Sequence, residues 1–600
     1  MAIVLKRQAA QRRMAAITLV GTVLLLAVSA RSAAQAPTAH AAVLALRRAI
    51  VAGDIAGAQH GDLARYRPAL LRLYGDSGAQ LLWLSGSRLT QQAEALLGEL
   101  AAAEARGLRA SDYDVEFLAQ RVATGGMGFG DSLTEEGVLR FDAAMSLSAM
   151  RFMDHAHRGR ADPRSLGFAL QVPHLRHDLA PLVSSLSRSR DVHASIDALE
   201  PRYARYRALV HLLAVYRALA PDSTLSDLPA TRGSIRPGQP WAGTAVLQRL
   251  LVALGDLPAT AVRPVRAVSD TFGGAVMDGL KKFQRRHGLA QDGVIGSATL
   301  QALRMPLSHR VTQIELAMER WRWLPDITTS RLIVVNIPAF RLYAFNRETS
   351  GERPVERMDV IVGSAYGRRH TPVFTGTIRY VIFHPYWDVP PSIARREEIP
   401  RLRRDPGYAE REGLEIVRGG DEGATVYPMT VANLDRVTAG TLRLRQRPGP
   451  RNALGAVKFV FPNEFNVYLH GTPAQSLFAL TRRDFSHGCI RTSAPARLAE
   501  FVLKGQSGWD STRIAASMGE GEQLLRVTLD RPLPVYILYA TVASDDAGVP
   551  FFYPDLYGHD AALARTLRLP VAPPRPVAGI SAHASGAEEA AVRECLTDGE

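Results

Sequence analysis

The residues best placed for covalent chemistry are Ser486-His487-Gly488-Cys489-Ile490-Arg491, preceded by His470-Gly471-Thr472, with fifteen residues separating His470 from Ser486. A protonated thiol is a poor nucleophile, since free cysteine titrates at about 8.5, so a catalytic Cys489 needs a base or a cation beside it. His470 and His487 lie close enough in sequence to supply the base. Gly488 lets the backbone turn tightly before the nucleophile, so that amide N–H groups can converge on a developing oxyanion. Two blander readings compete. A lone cysteine is most often a small buried hydrophobe. His470, His487 and Cys489 taken as zinc ligands lack the spacing of motifs such as HExxH and have no carboxylate base beside them. The reading is therefore a thiol enzyme with no metal and no cofactor. The other cysteine, Cys595, lies in an Ala/Gly/Ser/Glu tail beyond the prolines at 570, 573, 574 and 576, and a Cys489–Cys595 disulfide is the structural alternative.

These residues must be carried by a β-framework. Pro325 ends an amphipathic helix through Glu315, Met318, Arg320 and Trp323, and the texture then changes. Arg331–Asn336, Arg341–Phe345, Met358–Val362, Ile378–Phe383, Val457–Phe461, Phe465–Leu469 and Val535–Tyr539 read as strands. A polar, helix-like stretch over about 390–440, containing Arg395-Arg396-Glu397-Glu398, reads as an insertion over the sheet. Upstream, Ala93, Leu96, Leu97 and Leu100 exemplify a helical period that runs through residues 60–232. A Pro/Ser/Asp/Gly-rich linker over 221–240 closes that domain. A compact helical unit follows over 242–305, in which Gly288 stops one helix and Asp292-Gly293 turns the chain into the next. The fold class expected is multidomain α+β: an all-α domain, a small helical domain, and a mainly-β domain over 331–545 with its insertion, followed by a disordered tail over 569–600.

The spacing His470, fifteen residues, then Ser-His-Gly-Cys, an apolar residue and Arg resembles the L,D-transpeptidase catalytic domain of YkuD type. The likeness extends to the larger YcbB-like murein L,D-transpeptidases. It rests on Val335-Asn336-Ile337-Pro338-Ala339-Phe340, Ile361-Val362-Gly363 with Thr371-Pro372, Tyr386-Trp387-Asp388-Val389-Pro390, Gln446 to Asn452, and Phe461-Pro462-Asn463. Residues 242–305, with Phe283-Gln284, Gly288-Leu289 and Asp292-Gly293, resemble the peptidoglycan-binding domain found beside many wall enzymes. One departure is His384, where the family pattern leads us to expect Asn. The resemblance implies that His470 is the general base, oriented by the Gly471 carbonyl, and that Cys489 forms a thioester with a tetrapeptide stem while releasing D-alanine. It also implies that the N–H groups of Gly488 and Cys489 hold the oxyanion. Ser486, His487 and Arg491 fall in the site, supporting the loop or acting directly, and Tyr386 and Trp387 are candidate pocket aromatics. Water in place of an amine acceptor gives an L,D-carboxypeptidase or endopeptidase, and an inactive wall-binding scaffold is the non-enzymatic alternative.

Composition agrees with an exported globular enzyme. Hydrophobic residues make up 46% and charged residues 22% of the 600, which excludes disorder or collagen for the bulk of the chain. Residues 1–36 carry Lys6, Arg7, Arg12 and Arg13 before an apolar run from Met14 to Ala30 and then small residues, the layout of a secretory signal. An uncleaved anchor helix is the alternative, and only then is a membrane a partner. Mature protein starting between residues 31 and 36 in the periplasm is expected; residue 1 or 2 as the N-terminus of a membrane fraction would favour the anchor. The formal charge of +14 falls to about +9 without the five leader cations, those four and Arg31, and the remaining arginines are scattered, so no nucleic-acid partner is expected. Peptidoglycan is the expected partner.

Overall fold

In a computed structural model, the described residues are 39–570 except 56–59, 76–79, 87, 124–133, 171–177, 262–270, 272, 326, 367–368, 406, 421–422 and 520–522. The leader read over 1–36, Cys595 and the tail beyond Pro570 lie outside the described residues. The chain divides into two compact units, 1–159 with 174–201, and 160–173 with 202–600.

The first unit is built of helices around α1 (Glu135–Arg158), with one short hairpin, Leu84–Ser85 against Arg88–Leu89. Thr134 caps α1 by accepting the Gly137 N–H at 3.1 Å. The helix is buried on all sides, so its polar residues need internal partners. Asp142 accepts from Tyr74 Oη at 2.6 Å and from the Trp83 N–H at 2.8 Å, and Ser146 accepts from the Trp83 indole at 2.8 Å.

In the second unit, α2 (Ala204–Leu219), α3 (Thr244–Ala253), α4 (Ala275–Arg286), α5 (Ser297–Leu303) and α6 (Leu307–Arg322) form a bundle. Gln284 explains the sequence signature of α4. Its side-chain amide donates to Asp292 at 2.8 Å and to the Val294 carbonyl at 3.0 Å, and its oxygen accepts the Gly293 N–H at 2.9 Å. The signature residues therefore close the turn. The bundle core also takes in Val542 and Phe552 from a hairpin far downstream.

Eight strands then close on themselves. In chain order they are β1 (Arg331–Asn336), β2 (Arg341–Asn346), β3 (Pro354–Gly363), β4 (Phe374–Phe383), β9 (Val457–Val460), β10 (Leu469–His470), β12 (Ile490–Thr492) and β13 (Leu525–Leu538). Their hydrogen-bonded order is β3-β12-β10-β9-β4-β13-β1-β2, and β2 pairs back onto β3, while β11 (Asp484–Ser486) runs parallel to β3. Closure leaves those eight strands without a free edge, and one core fills the interior, with Ile333, Val360, Val381, Phe459, Leu469, Ile490 and Val535 all fully buried.

Two expectations need correction. The run Phe465–Leu469 is not a strand: Asn463 accepts the N–H groups of Phe465 and Val467 at 3.0 and 3.2 Å, and Asn466 takes a left-handed φ of 54°. A side chain that satisfies the backbone locally competes with a ladder, so only Leu469–His470 remains extended. The insertion, in turn, is not only helix and loop. It contains a four-stranded sheet of β5 (Trp387–Asp388), β6 (Leu414–Arg418), β7 (Thr425–Tyr427) and β8 (Arg443–Gln446), in the order β5-β8-β6-β7. This sheet has its own core around Val389, Ile393, Ile416, Leu434 and Leu444. Past residue 545, β15 (Pro550–Phe552) returns against β14 (Val542–Ser544), and α7 (His559–Thr566) packs Leu563 and Ala564 into the main core.

Candidate active site

Three adjacent strands assemble the site. Lys458 on β9 lies opposite His470 on β10, and His470 lies beside Arg491 on the parallel strand β12. One residue before the Leu469–Ile490 pair stand Tyr468 and Cys489, tied by the Ile490 N–H donating to the Tyr468 carbonyl at 3.1 Å. Because side chains alternate along a strand, Tyr468 and His470 share a face with Cys489 and Arg491, while Leu469 and Ile490 point into the core.

His470 is 4% exposed, and its Nδ1 sits 2.5 Å from the Gly471 carbonyl oxygen. A carbonyl can only accept, so Nδ1 carries the proton and Nε2 is left as the acceptor. Burial, then the positive charge of Arg491 and, less, of Lys458, hold the imidazole pKa down at about 3, against the bonds to Gly471 and Leu454 that favour the charged form. Burial pushes the half-buried Cys489 thiol up, with the Tyr468 backbone and hydroxyl, Lys458 and Arg491 opposing that rise. At rest the thiol thus keeps its proton and the imidazole is neutral. The thiol Sγ lies 3.7 Å from the Asn466 carbonyl.

The backbone around the thiol is pinned. Ser486 Oγ donates to the Cys489 carbonyl at 2.5 Å and accepts the Gly488 N–H at 3.1 Å. Ser486 is therefore the support of this loop. The Gly488 N–H, expected to hold an oxyanion, is already taken by Ser486, because a tight turn around a serine satisfies its own donors first. Gly488 contributes its shape instead, with φ at 121°, a conformation that side chains rarely adopt. Its carbonyl accepts from Thr371 Oγ1 at 2.8 Å.

His487 reaches the insertion, where its Nε2 lies 2.7 Å from Glu397 Oε1, a carboxylate that also meets Arg369 at 3.3 Å. Glu397 sits on a π-helical turn, Ala394–Glu398. Trp387 and Cys489 both act on the Tyr468 hydroxyl, whose pKa burial raises well above its usual value, the thiol adding to that rise and Trp387 opposing it. Tyr386 is engaged differently: the Arg445 guanidinium lies 4.1 Å over its ring and is itself held at 2.5 Å by Glu415. That stack belongs to the base of the insertion.

Sequence reasoning missed Tyr468, Lys458 and the role of Thr371. The Lys458 ammonium lies 3.9 Å over the Tyr468 ring. The signal that could have found Tyr468 is alternation, two residues before His470 on the same face. Nothing local marks Lys458, which arrives by pairing between strands. Among the described residues, no three His, Cys, Asp or Glu side chains group as metal ligands would, and no helix is long and apolar enough to cross a membrane.

Residues 330–514, which hold both Cys489 and His470, match the family model of the L,D-transpeptidase catalytic domain, YkuD. Residues 68–213 match a scaffold domain and residues 242–303 the "Putative peptidoglycan binding domain" model. The chain therefore carries a YkuD L,D-transpeptidase catalytic domain behind a peptidoglycan-binding domain and a helical N-terminal region, a multidomain α+β architecture. It is similar to a protein of Haemophilus influenzae named "Putative L,D-transpeptidase", at 30% identity over 282 residues, which cover 45% of this chain and 54% of that protein. The chain spans about half the length of this curated relative.

Proposed function

We propose that this protein is a peptidoglycan L,D-transpeptidase that joins stem peptides through a Cys489 thioester. His470 Nε2 takes the thiol proton as Cys489 attacks the carbonyl of the L-centre of diaminopimelate in a tetrapeptide stem. The proton passes to the departing amine, D-alanine leaves, and the amine of a second stem resolves the acyl-enzyme. The Cys489 N–H steadies the oxyanion, a kind of contact whose loss costs about 10²–10³ in rate elsewhere. The observation that supports this reading is the pairing of β10 with β12, in which Tyr468 and His470 share the face that carries Cys489, together with the bond between the imidazole and the Gly471 carbonyl.

The test is product analysis with purified muropeptides, scoring cross-linked dimers against trimmed monomers. Wild-type protein makes dimers, Cys489→Ser makes none, and His470→Ala loses turnover while a carbapenem still acylates its thiol slowly, since cysteine is a few per cent thiolate at about pH 7 unaided. Trimmed monomers alone would assign the domain to hydrolysis. Dimers from the serine variant at the wild-type rate would remove Cys489 as nucleophile.

A further inference from the structure

The C-terminal segment lies outside the residues matched to the catalytic domain, yet one of its side chains is wired to the nucleophile. Tyr557 Oη donates to the Gly363 carbonyl at 2.5 Å and accepts the Thr371 N–H at 3.3 Å. Thr371 Oγ1 accepts the Gly363 N–H at 2.8 Å and donates to the Gly488 carbonyl at 2.8 Å. Each hydroxyl thus spends one proton and accepts one, with no conflict of direction. The Gly488 carbonyl and the Cys489 N–H lie in one trans peptide plane and point in opposite directions within it. Holding the carbonyl therefore fixes the direction of the N–H beside the thiol.

Other contacts keep Tyr557 in place. Its ring stacks on His370 with centroids 4.0 Å apart and planes 8° from parallel. Its N–H donates to Tyr539 Oη at 2.8 Å, and Tyr539 in turn donates to Asp555 at 2.7 Å. Thr371 is fully buried, and no side chain could stand at Gly363, because a Cβ there would fall 2.0 Å from the Arg369 carbonyl oxygen. The end of β3, the segment 369–371 and the Tyr557 hydroxyl form one tight knot behind the catalytic loop.

We propose that Thr371 and Tyr557 are positioning residues that aim the Cys489 N–H at the oxyanion, so that the chain beyond the matched catalytic domain is part of the acyl-transfer machinery. This inference rests on the proposed thioester reaction at Cys489. It separates two reactions of the same thiol: acylation by a carbapenem passes through an oxyanion, whereas alkylation by iodoacetamide is a displacement that forms none.

The experiment measures both rates on the full-length protein, for wild type, Thr371→Val, Thr371→Ser and Tyr557→Phe. In Thr371→Val the maximal acylation rate should fall about 10–100-fold, a part of what loss of a whole oxyanion donor costs. Half-saturation by the carbapenem and the alkylation rate should stay within about twofold. Thr371→Ser, which keeps the hydroxyl, should restore acylation, and Tyr557→Phe, which keeps the ring stack, should show the same split at smaller size. Acylation and alkylation falling together, or acylation unchanged in both Thr371→Val and Tyr557→Phe, would overturn the positioning role. A wild-type enzyme that is alkylated at Cys489 but never acylated there would instead sink the thioester reading itself.

Discussion

His470 decides how this site behaves with pH. Its imidazole stays neutral down to about 3 because burial and the neighbouring Arg491 and Lys458 oppose a second positive charge. The base proposed for Cys489 is therefore available well below the ordinary histidine value of 6.5. Carbapenem acylation of Cys489 should accordingly be flat between about pH 7 and 5, where an ordinary histidine would be charging. A midpoint at the ordinary value in stopped-flow acylation would show that the imidazole is not held neutral. Stability carries the opposite sign. In the window below 6.5 and above 3 the unfolded chain binds a proton at His470 that the folded chain refuses, so stability drains away as the pH falls through it, by about 1.4 kcal/mol per pH unit at the limit. His470→Gln should flatten that slope in denaturant titrations at pH 6 and pH 5, whatever it does to turnover.

At the scale of elements, the signatures in the sequence are mostly structural, and Gln284 shows it. Replacing it with Ala leaves the buried Gly293 N–H without its acceptor, a loss of about 1–3 kcal/mol. Amide exchange of Gly293 should then accelerate while the barrel strands keep their protection; unchanged exchange at Gly293 would show that the turn holds without Gln284. The candidate site motif was legible because Ser486 to Arg491 is contiguous and its spacing to His470 is fixed by one connection. Thr371 and Tyr557 were not legible in that role, since their partners lie 117 and 194 residues away and meet only once the barrel closes. The same holds for the insertion sheet: Leu414 to Arg418 reads Leu, Glu, Ile, Val, Arg, with two apolar residues in succession and too short a run to declare a period. His384 is instructive in the other direction. Its φ is 47°, a left-handed position that Asn tolerates far better than most residues, which accounts for the Asn expected there.

Within the second unit, the helical bundle and the barrel are not separable beads. Phe552, on the hairpin that follows the barrel, stacks with His287 at 5.5 Å, meets Tyr216 at 5.3 Å and lies under the Arg310 guanidinium at 4.9 Å. Gln313 donates to the Tyr553 carbonyl at 3.0 Å. Four residues beyond Tyr553 comes Tyr557, which meets the catalytic loop through Thr371. A deletion of residues 242–303 removes the His287 face of that clamp and bares a core shared with Leu213, Val542 and Phe552. Loss of wall binding in such a deletion therefore cannot be read alone: it should also slow carbapenem acylation of Cys489 and raise amide exchange over 550–558. Phe552→Ala tests the same link with the bundle intact. Truncating a fully buried phenylalanine costs about 3–5 kcal/mol, so the hairpin should loosen and acylation slow while sacculus binding persists. If the deleted protein stays monomeric and acylates at the wild-type rate, the barrel alone holds residues 550–558, and the bundle serves only to bind.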